Sequence, residues 1–267
     1  MFLKVFKYDF KAVFFKFLPV FAILPVIALV ARIVNLIPTN SLFPFILKIG
    51  VNGMFGLGCV FLVVYTMVIC IARYVKSLFR DQGYLTHTLP VTKHSLLLSH
   101  LLVDFLMQII SVIFIIVCVF IGYVTPNIIE GLVQVINETF KLVITEEEFL
   151  QLILGPMILM FFVSIVSSLQ QLFIIYTGVA LGHAFAKNKG ILSVVFCIAI
   201  SYGISIGTGI VNNVFGFVWL DFNFQTPEAL VGFINAFLGI VLAEGIIICV
   251  VAYFLDIFLM KKHLNLE

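Results

Sequence analysis

Apolar residues along this chain follow neither the alternation of a half-buried strand nor the single stripe of a water-facing helix. They run on without interruption in six stretches, Phe17–Ile37, Val51–Arg73, Ser95–Val124, Pro156–Phe185, Ile191–Phe217 and Ala229–Leu259. Each matches or exceeds the ~20 residues a helix needs to cross ~30 Å of hydrocarbon. In lipid every backbone donor and acceptor must be paired within the chain, so only helices or a closed barrel qualify. Runs this long exclude a barrel, whose strands take ~10 residues of alternating character. The pattern predicts an all-α integral membrane protein with six spans.

Composition strengthens this reading. Charged residues make up 10% of the chain and hydrophobic ones 63%, against about 25% and 45–50% in a soluble domain. So few charges could not cover the surface of a 267-residue globule. The cysteines Cys59, Cys70, Cys118, Cys197 and Cys249 all fall inside or at the edges of apolar runs. None is spaced as a zinc site, and they read as small hydrophobes.

Charge placement orients the spans. With the N-terminus inside, cytoplasmic segments hold Lys4, Lys7, Lys11, Lys16, Arg73, Lys76, Arg80, Lys93, Lys187, Lys189, Lys261 and Lys262, which is 12 of the 15 basic residues. The outer loops hold Lys48 and Lys141, while Glu130, Glu138, Glu146, Glu147, Glu148, Asp221 and Glu228 also lie outside. This is the positive-inside bias, and it puts both ends of a multi-pass chain in the cytoplasm. A cleaved leader fits the first 35 residues poorly, since no small-residue cleavage site comes after the run.

Two segments read as lying on the membrane. Over residues 2–16, Lys4, Lys7 and Lys11 share one face, and Phe2, Leu3, Phe6, Phe10, Val13 and Phe14 adjoin it. That is the pattern of an interfacial elbow helix against inner headgroups. In the outer loop 125–148, Ile129, Leu132, Val133, Ile136, Phe140 and Val143 recur at helical spacing. Thr145 with Glu148 forms a capping box, predicting a helix that starts near Glu146 and kinks near Pro156. Trp219, in the loop before the sixth span, suits an interface anchor.

No catalytic constellation stands out. The sequence holds no GxxxxGK[ST] phosphate loop, no HExxH and no GxSxG. The histidines His87, His94, His100, His183 and His263 lack ligand spacing, and no metal is expected. Polar groups within the spans are more informative, because they are costly there. Glu244, near the middle of the sixth span, is the intramembrane candidate. It could line a polar path, carry a proton or pair with a neighbouring helix, and pairing or protonation is the favoured reading. Arg32 is expected to snorkel outward, and Asp104 and Asp256 to form ion pairs near the inner boundary. Gln170, Gln171, Ser164, Ser167 and Ser168 should bond between helices. Gly178 with Gly182, Gly203 with Gly207, and Gly53, Gly56 and Gly58 mark close helix packing.

The most unusual segment is the cytoplasmic one at 74–94. It mixes Leu78, Phe79, Tyr84, Leu85, Leu89 and Val91 with charges, and Gly83 and Pro90 break it into a short helix, a turn and a helix start. Apolar groups exposed on such a loop mark a docking surface for another protein. Here the chain resembles the permease subunits of ABC transporters of the ABC-2 type, the bacterial kind without a fused ATPase. The residues that carry the resemblance are Asp81, Gly83, Leu89, Pro90, Leu98 and Leu101, together with Lys7-Tyr-Asp-Phe-Lys11 and Phe17-Leu-Pro19. Gln82 and His100 depart from the family pattern, which has an acid and a lysine there.

The resemblance implies an ABC-2 (type V exporter-like) fold of elbow helix and six spans. It implies two ATP-binding subunits docked beneath a pair of permease chains, identical or related. Lys76, Phe79, Arg80, Asp81, Gln82, Gly83, Tyr84, Leu89 and Pro90 would form the coupling loop seated on the ATPase. This chain would carry no cofactor and catalyse no reaction, with ATP and magnesium held by the partner; its other contacts are lipid, and nucleic acid is not among them. Export is the family's usual direction, and the Phe-rich spans favour a hydrophobic or amphipathic cargo such as a peptide, drug or lipid-like molecule. Two other readings compete: a membrane scaffold or sensor that docks a cytoplasmic partner, and an intramembrane enzyme.

Overall fold

Deprived of water, the backbone of each apolar stretch closes on itself as a helix. A computed structural model describes residues 2–38, 41–78, 93–124, 129–131, 133–134, 146–185, 189–218 and 227–262, and among these residues it is helical with no strand. The six helices are α1 (Phe2–Leu36), α2 (Leu42–Leu78), α3 (Lys93–Tyr123), α4 (Glu146–His183), α5 (Lys189–Val218) and α6 (Pro227–Lys262). All six are long and apolar enough to span a bilayer, with mean hydropathy of 2.1–2.9 in their best windows. The chain is a multi-pass helical membrane protein.

Each helix outruns its predicted span. Even α5, at 30 residues, reaches ~45 Å at ~1.5 Å per residue, so every helix has ends beyond the hydrocarbon or is tilted. α1 passes through residue 17 without a break, and the segment 2–16 expected as a separate elbow belongs to the same 35-residue helix. Pro19 and Pro25 sit within it, and nothing between residues 10 and 18 is a helix breaker. α2 starts at Leu42 rather than Val51, because Leu42–Gly50 is as apolar as the rest of the helix and Pro44 falls in the first turn, where its missing N–H costs nothing. α4 starts at Glu146 as expected and carries Pro156 inside it. Most of the expected outer interfacial helix, and Trp219, lie outside the described residues.

The helices sort into two units, residues 1–73 with 98–138, and residues 74–97 with 139–267. In the first, α1, α2 up to Arg73 and α3 from Leu98 bury Val13, Phe17, Leu24, Ala28, Phe55, Leu62, Ile69, Val103, Met107 and Cys118 together. Phe21 of α1 lies against Phe114 of α3 with ring centroids 4.4 Å apart, and Phe17 meets Tyr65 of α2 edge-on at 5.5 Å. A Cβ at Gly122 would come 3.3 Å from the Ala28 carbonyl oxygen, which marks a close α1–α3 approach. Polar groups knit the same helices. Asn35 and Asn52 exchange amide hydrogen bonds at 3.2 Å, Tyr123 donates to Asn52 at 3.0 Å, and Thr66 bonds Ser111 at 3.0 Å. Arg32 donates to the Ile121 carbonyl at 3.0 Å, within the last turn of α3. Rather than only snorkelling outward, its charge meets a helix C-terminus, where the dipole favours a cation.

In the second unit α4 packs along both α5 and α6, which meet each other at fewer points, among them Phe215 stacked on Phe233 with ring centroids 5.8 Å apart. Glycine sets the spacing. A Cβ on Gly178 would collide with Cys197 of α5, and one on Gly182 with Ser193. On α6, a Cβ on Gly245 would come 2.7 Å from Val166 of α4. These are the close approaches that small residues permit between membrane helices. The expectation does not extend to Gly203, Gly207, Gly53 and Gly56, where an added Cβ meets nothing within 4 Å, although Gly58 abuts Leu24. Gly182→Ala should therefore destabilise the purified chain by about 1–3 kcal/mol through overpacking against backbone atoms. Gly203→Ala should be neutral, or stabilising by up to ~1 kcal/mol from helix propensity. Reversible unfolding in mixed micelles measures both, and equal losses would mean the glycines do not set the spacing.

Candidate functional site

Residues 79–92 lie outside the described residues, and with them Phe79, Arg80, Asp81, Gln82, Gly83, Tyr84, Leu89 and Pro90. The two roots of that segment are described. Lys76, in the last turn of α2, is exposed. One turn earlier the chain passes from the first unit to the second between Arg73 and Tyr74, and α3 passes back between Leu97 and Leu98. So the described roots of the segment, 74–78 and 93–97, belong to the unit of α4, α5 and α6.

Aromatic contacts do the holding. Tyr74 is fully buried and stacks on Tyr176 of α4, with centroids 3.9 Å apart and planes 4° from parallel. At the other root, His94 Nδ1 and the Tyr253 hydroxyl of α6 share a hydrogen bond of 2.9 Å. Tyr253 in turn meets Phe173 of α4 edge-on at 6.3 Å. Asp256, one turn along α6, has no exposed surface and lies beside Thr177 and Tyr74. No ion pair forms between it and any lysine or arginine whose side chain is described, unlike the pairing expected for it.

On the first-unit side of the same junction, Arg73 anchors a buried charge cluster. Its Nη2 lies 2.6 Å from Asp104 Oδ1 and donates to the His100 carbonyl at 2.8 Å, and its Nη1 lies 3.6 Å from Asp9 Oδ2. His100 Nδ1 is 3.4 Å from the same Asp9 oxygen. The ion pair expected at Asp104 is present. The part played by Asp9 was not foreseen, although it is the only acid in the basic segment at 2–16. Three helices are thereby tied by one guanidinium in surroundings where a lone charge is very costly.

Mid-span polar groups collect in the second unit. Ser167, Gln170 and Gln171 of α4 and Ser201 of α5 line a cavity of about 330 Å³, with Ile174 and Ile175. Ser164 and Ser168 were expected to bond between helices, but they donate back to Phe161 and Ile165 of their own helix, both at 2.8 Å. A serine in an apolar setting finds a partner one turn back whenever none crosses from a neighbour. Glu244 of α6 lines a second cleft, about 240 Å³, with Ile247, Ile248 and, from α5, Ile204, Gly207, Thr208 and Val211. Its Oε1 is buried and has no hydrogen-bond partner among the described residues. Among the described residues no group of His, Cys, Asp or Glu is arranged to hold a metal. Lys7 and Lys11 of the expected elbow are exposed, and Lys4 lies in the first turn of α1.

Together these features define a multi-pass membrane protein with a buried charge anchor, an aromatic grip on both roots of one inter-helix segment, a polar cavity on α4, and an apolar cleft that holds Glu244. No family model, no curated protein and no solved structure matches the chain.

Because Asp104 has no exposed surface, Arg73→Ala strands a buried carboxylate and should destabilise the chain by about 3–5 kcal/mol. Adding Asp104→Asn should recover a substantial part of that loss. Unfolding midpoints of the single and double variants check this; an additive double variant would show that the pair is not coupled.

Proposed function

We propose that the chain is the permease subunit of an ATP-driven transporter of the ABC-2 type. It lies in the cell membrane with both ends in the cytoplasm, and it works with a separate ATP-binding subunit. The observation that carries this reading is the grip on both roots of residues 79–92: Tyr74 stacked on Tyr176, and His94 bonded to Tyr253. A loop that merely joined two spans would need no such attachment. A loop that transmits force to α4 and α6 does.

On this reading the coupling loop, Lys76 and Phe79 to Pro90, seats in a cleft of the ATPase. Two ATP-binding subunits close on ATP and magnesium beneath two permease chains. Their closure moves the loops; the stacked tyrosines pass that motion into α4, and the His94–Tyr253 bond passes it into α6. Binding energy in the partner thus selects between inward-facing and outward-facing states, which differ by rigid-body shifts of helices. The Lys4, Lys7 and Lys11 end of α1 meets the anionic inner headgroups. The cargo is hydrophobic or amphipathic and is exported.

Co-purification from cells expressing the chain with its ATP-binding subunit tests the docking assignment. Phe79→Glu or Gly83→Pro should abolish association while leaving the chain inserted and monodisperse; retained association would overturn the assignment. Tyr74→Ala should behave differently, keeping association but losing at least about tenfold of the cargo-stimulated ATP hydrolysis, because the docked loop no longer drives α4. If stimulation by cargo is unchanged in Tyr74→Ala, the scaffold reading gains over the transporter one.

A further inference from the structure

We infer that the cleft between α5 and α6 is a binding site for the head of a cationic amphiphile, with Glu244 as its counter-charge. Only that molecule's role as a cargo rests on the transporter reading. The groove lies where α5 and α6, both packed on α4, stand apart below their contact at Phe215 and Phe233. Gly207 widens it, since an added Cβ there would meet nothing within 4 Å. Its other walls, Ile204, Val211, Ile247 and Ile248, are apolar.

Into these walls the chain places one carboxyl whose Oε1 is shielded from solvent and accepts no hydrogen bond. Among the described residues, the cations of α4 and α5 stand away from it. His183 and Lys189 belong to the far ends of α4 and α5, and Lys189 is ~28 Å along α5 from Thr208 at ~1.5 Å per residue. Thr208 has already given its hydroxyl proton to the Ile204 carbonyl, at 3.0 Å. What its oxygen can still offer a ligand is acceptance.

Among the described residues the cleft therefore presents two acceptors in an apolar frame and no donor from a basic side chain. That chemistry suits an ammonium, which brings several N–H donors and a positive charge. It is unsuited to a phosphate or carboxylate head, which would face Glu244 with like charge. At about 240 Å³ the space falls below the ~300 Å³ where pockets for whole drug-sized ligands begin. It takes a head and the start of a tail, and leaves the rest of the tail to lipid.

Equilibrium binding of tritiated dodecylamine to the full chain in nanodiscs tests this, with empty nanodiscs subtracted and tritiated dodecanol as the uncharged control. No ATPase takes part, so a failure here leaves the docking assignment standing, and a failure there leaves this site standing. The expected result is saturable amine binding that weakens at least about tenfold in Glu244→Gln, while dodecanol binds both proteins alike. The variant's elution and unfolding midpoint should match the parent's. Absence of a saturable component, equal amine affinity in Glu244→Gln, or equal loss of dodecanol binding would each overturn the proposal. So would a change in oligomeric state with unchanged amine binding, which would assign the groove to a protein neighbour.

Discussion

A backbone in hydrocarbon has no partner but itself, and every feature of this protein answers to that constraint. It turns each apolar stretch into a helix, and it makes each polar group inside the membrane a commitment that some neighbour must meet. Arg73 meets it by holding Asp104 at 2.6 Å with Asp9 and His100 at its edge. Arg32 meets it at the Ile121 carbonyl, and Asn35, Asn52 and Tyr123 meet it among themselves. Where no neighbour among the described residues answers, as at Glu244 Oε1, the unmet group is the most informative one in its helix.

The same constraint explains the difference between the two units. The first is stitched by side chains: aromatic pairs, amides and one charge cluster join α1, α2 and α3. The second is spaced by absences, with Gly178, Gly182 and Gly245 letting backbones approach. α5 and α6 pack more on α4 than on each other, and the cleft that Glu244 lines opens between them away from the Phe215–Phe233 stack. Tightness in one place thus creates room in another. The roots of the 79–92 segment, Tyr74 and His94, rest on α4 and α6 of this second unit.

The six spans and the start of α4 at Glu146 were legible from unbroken apolarity and a capping pattern, because lipid permits no other structure for such runs. Helix ends were less so. Leu42–Gly50 reads as a loop only if Pro44 and Lys48 are given more weight than the apolar residues around them. Gly178 and Gly203 could not be told apart by spacing, since each opens the same small-residue pattern and only the neighbour distinguishes them. The cluster at Arg73 was half visible: Asp104 sat at the right depth, but Asp9 is 64 residues away in sequence and needs the fold to bring it near. The stack of Tyr74 on Tyr176 and the bond from His94 to Tyr253 left no trace in either local pattern. They join positions 102 and 159 residues apart, which periodicity cannot register.

The central claim is that residues 79–92 dock an ATP-binding partner and pass its motion to α4 and α6. Lysine-specific cross-linking in native membranes, read by mass spectrometry, tests it most directly, because Lys76 and Lys93 flank the segment. The account predicts cross-links from both lysines to one soluble protein that carries a phosphate-loop motif. Cross-links from both only to proteins without that motif, or only to lysines of this chain's own outer loops, would contradict it.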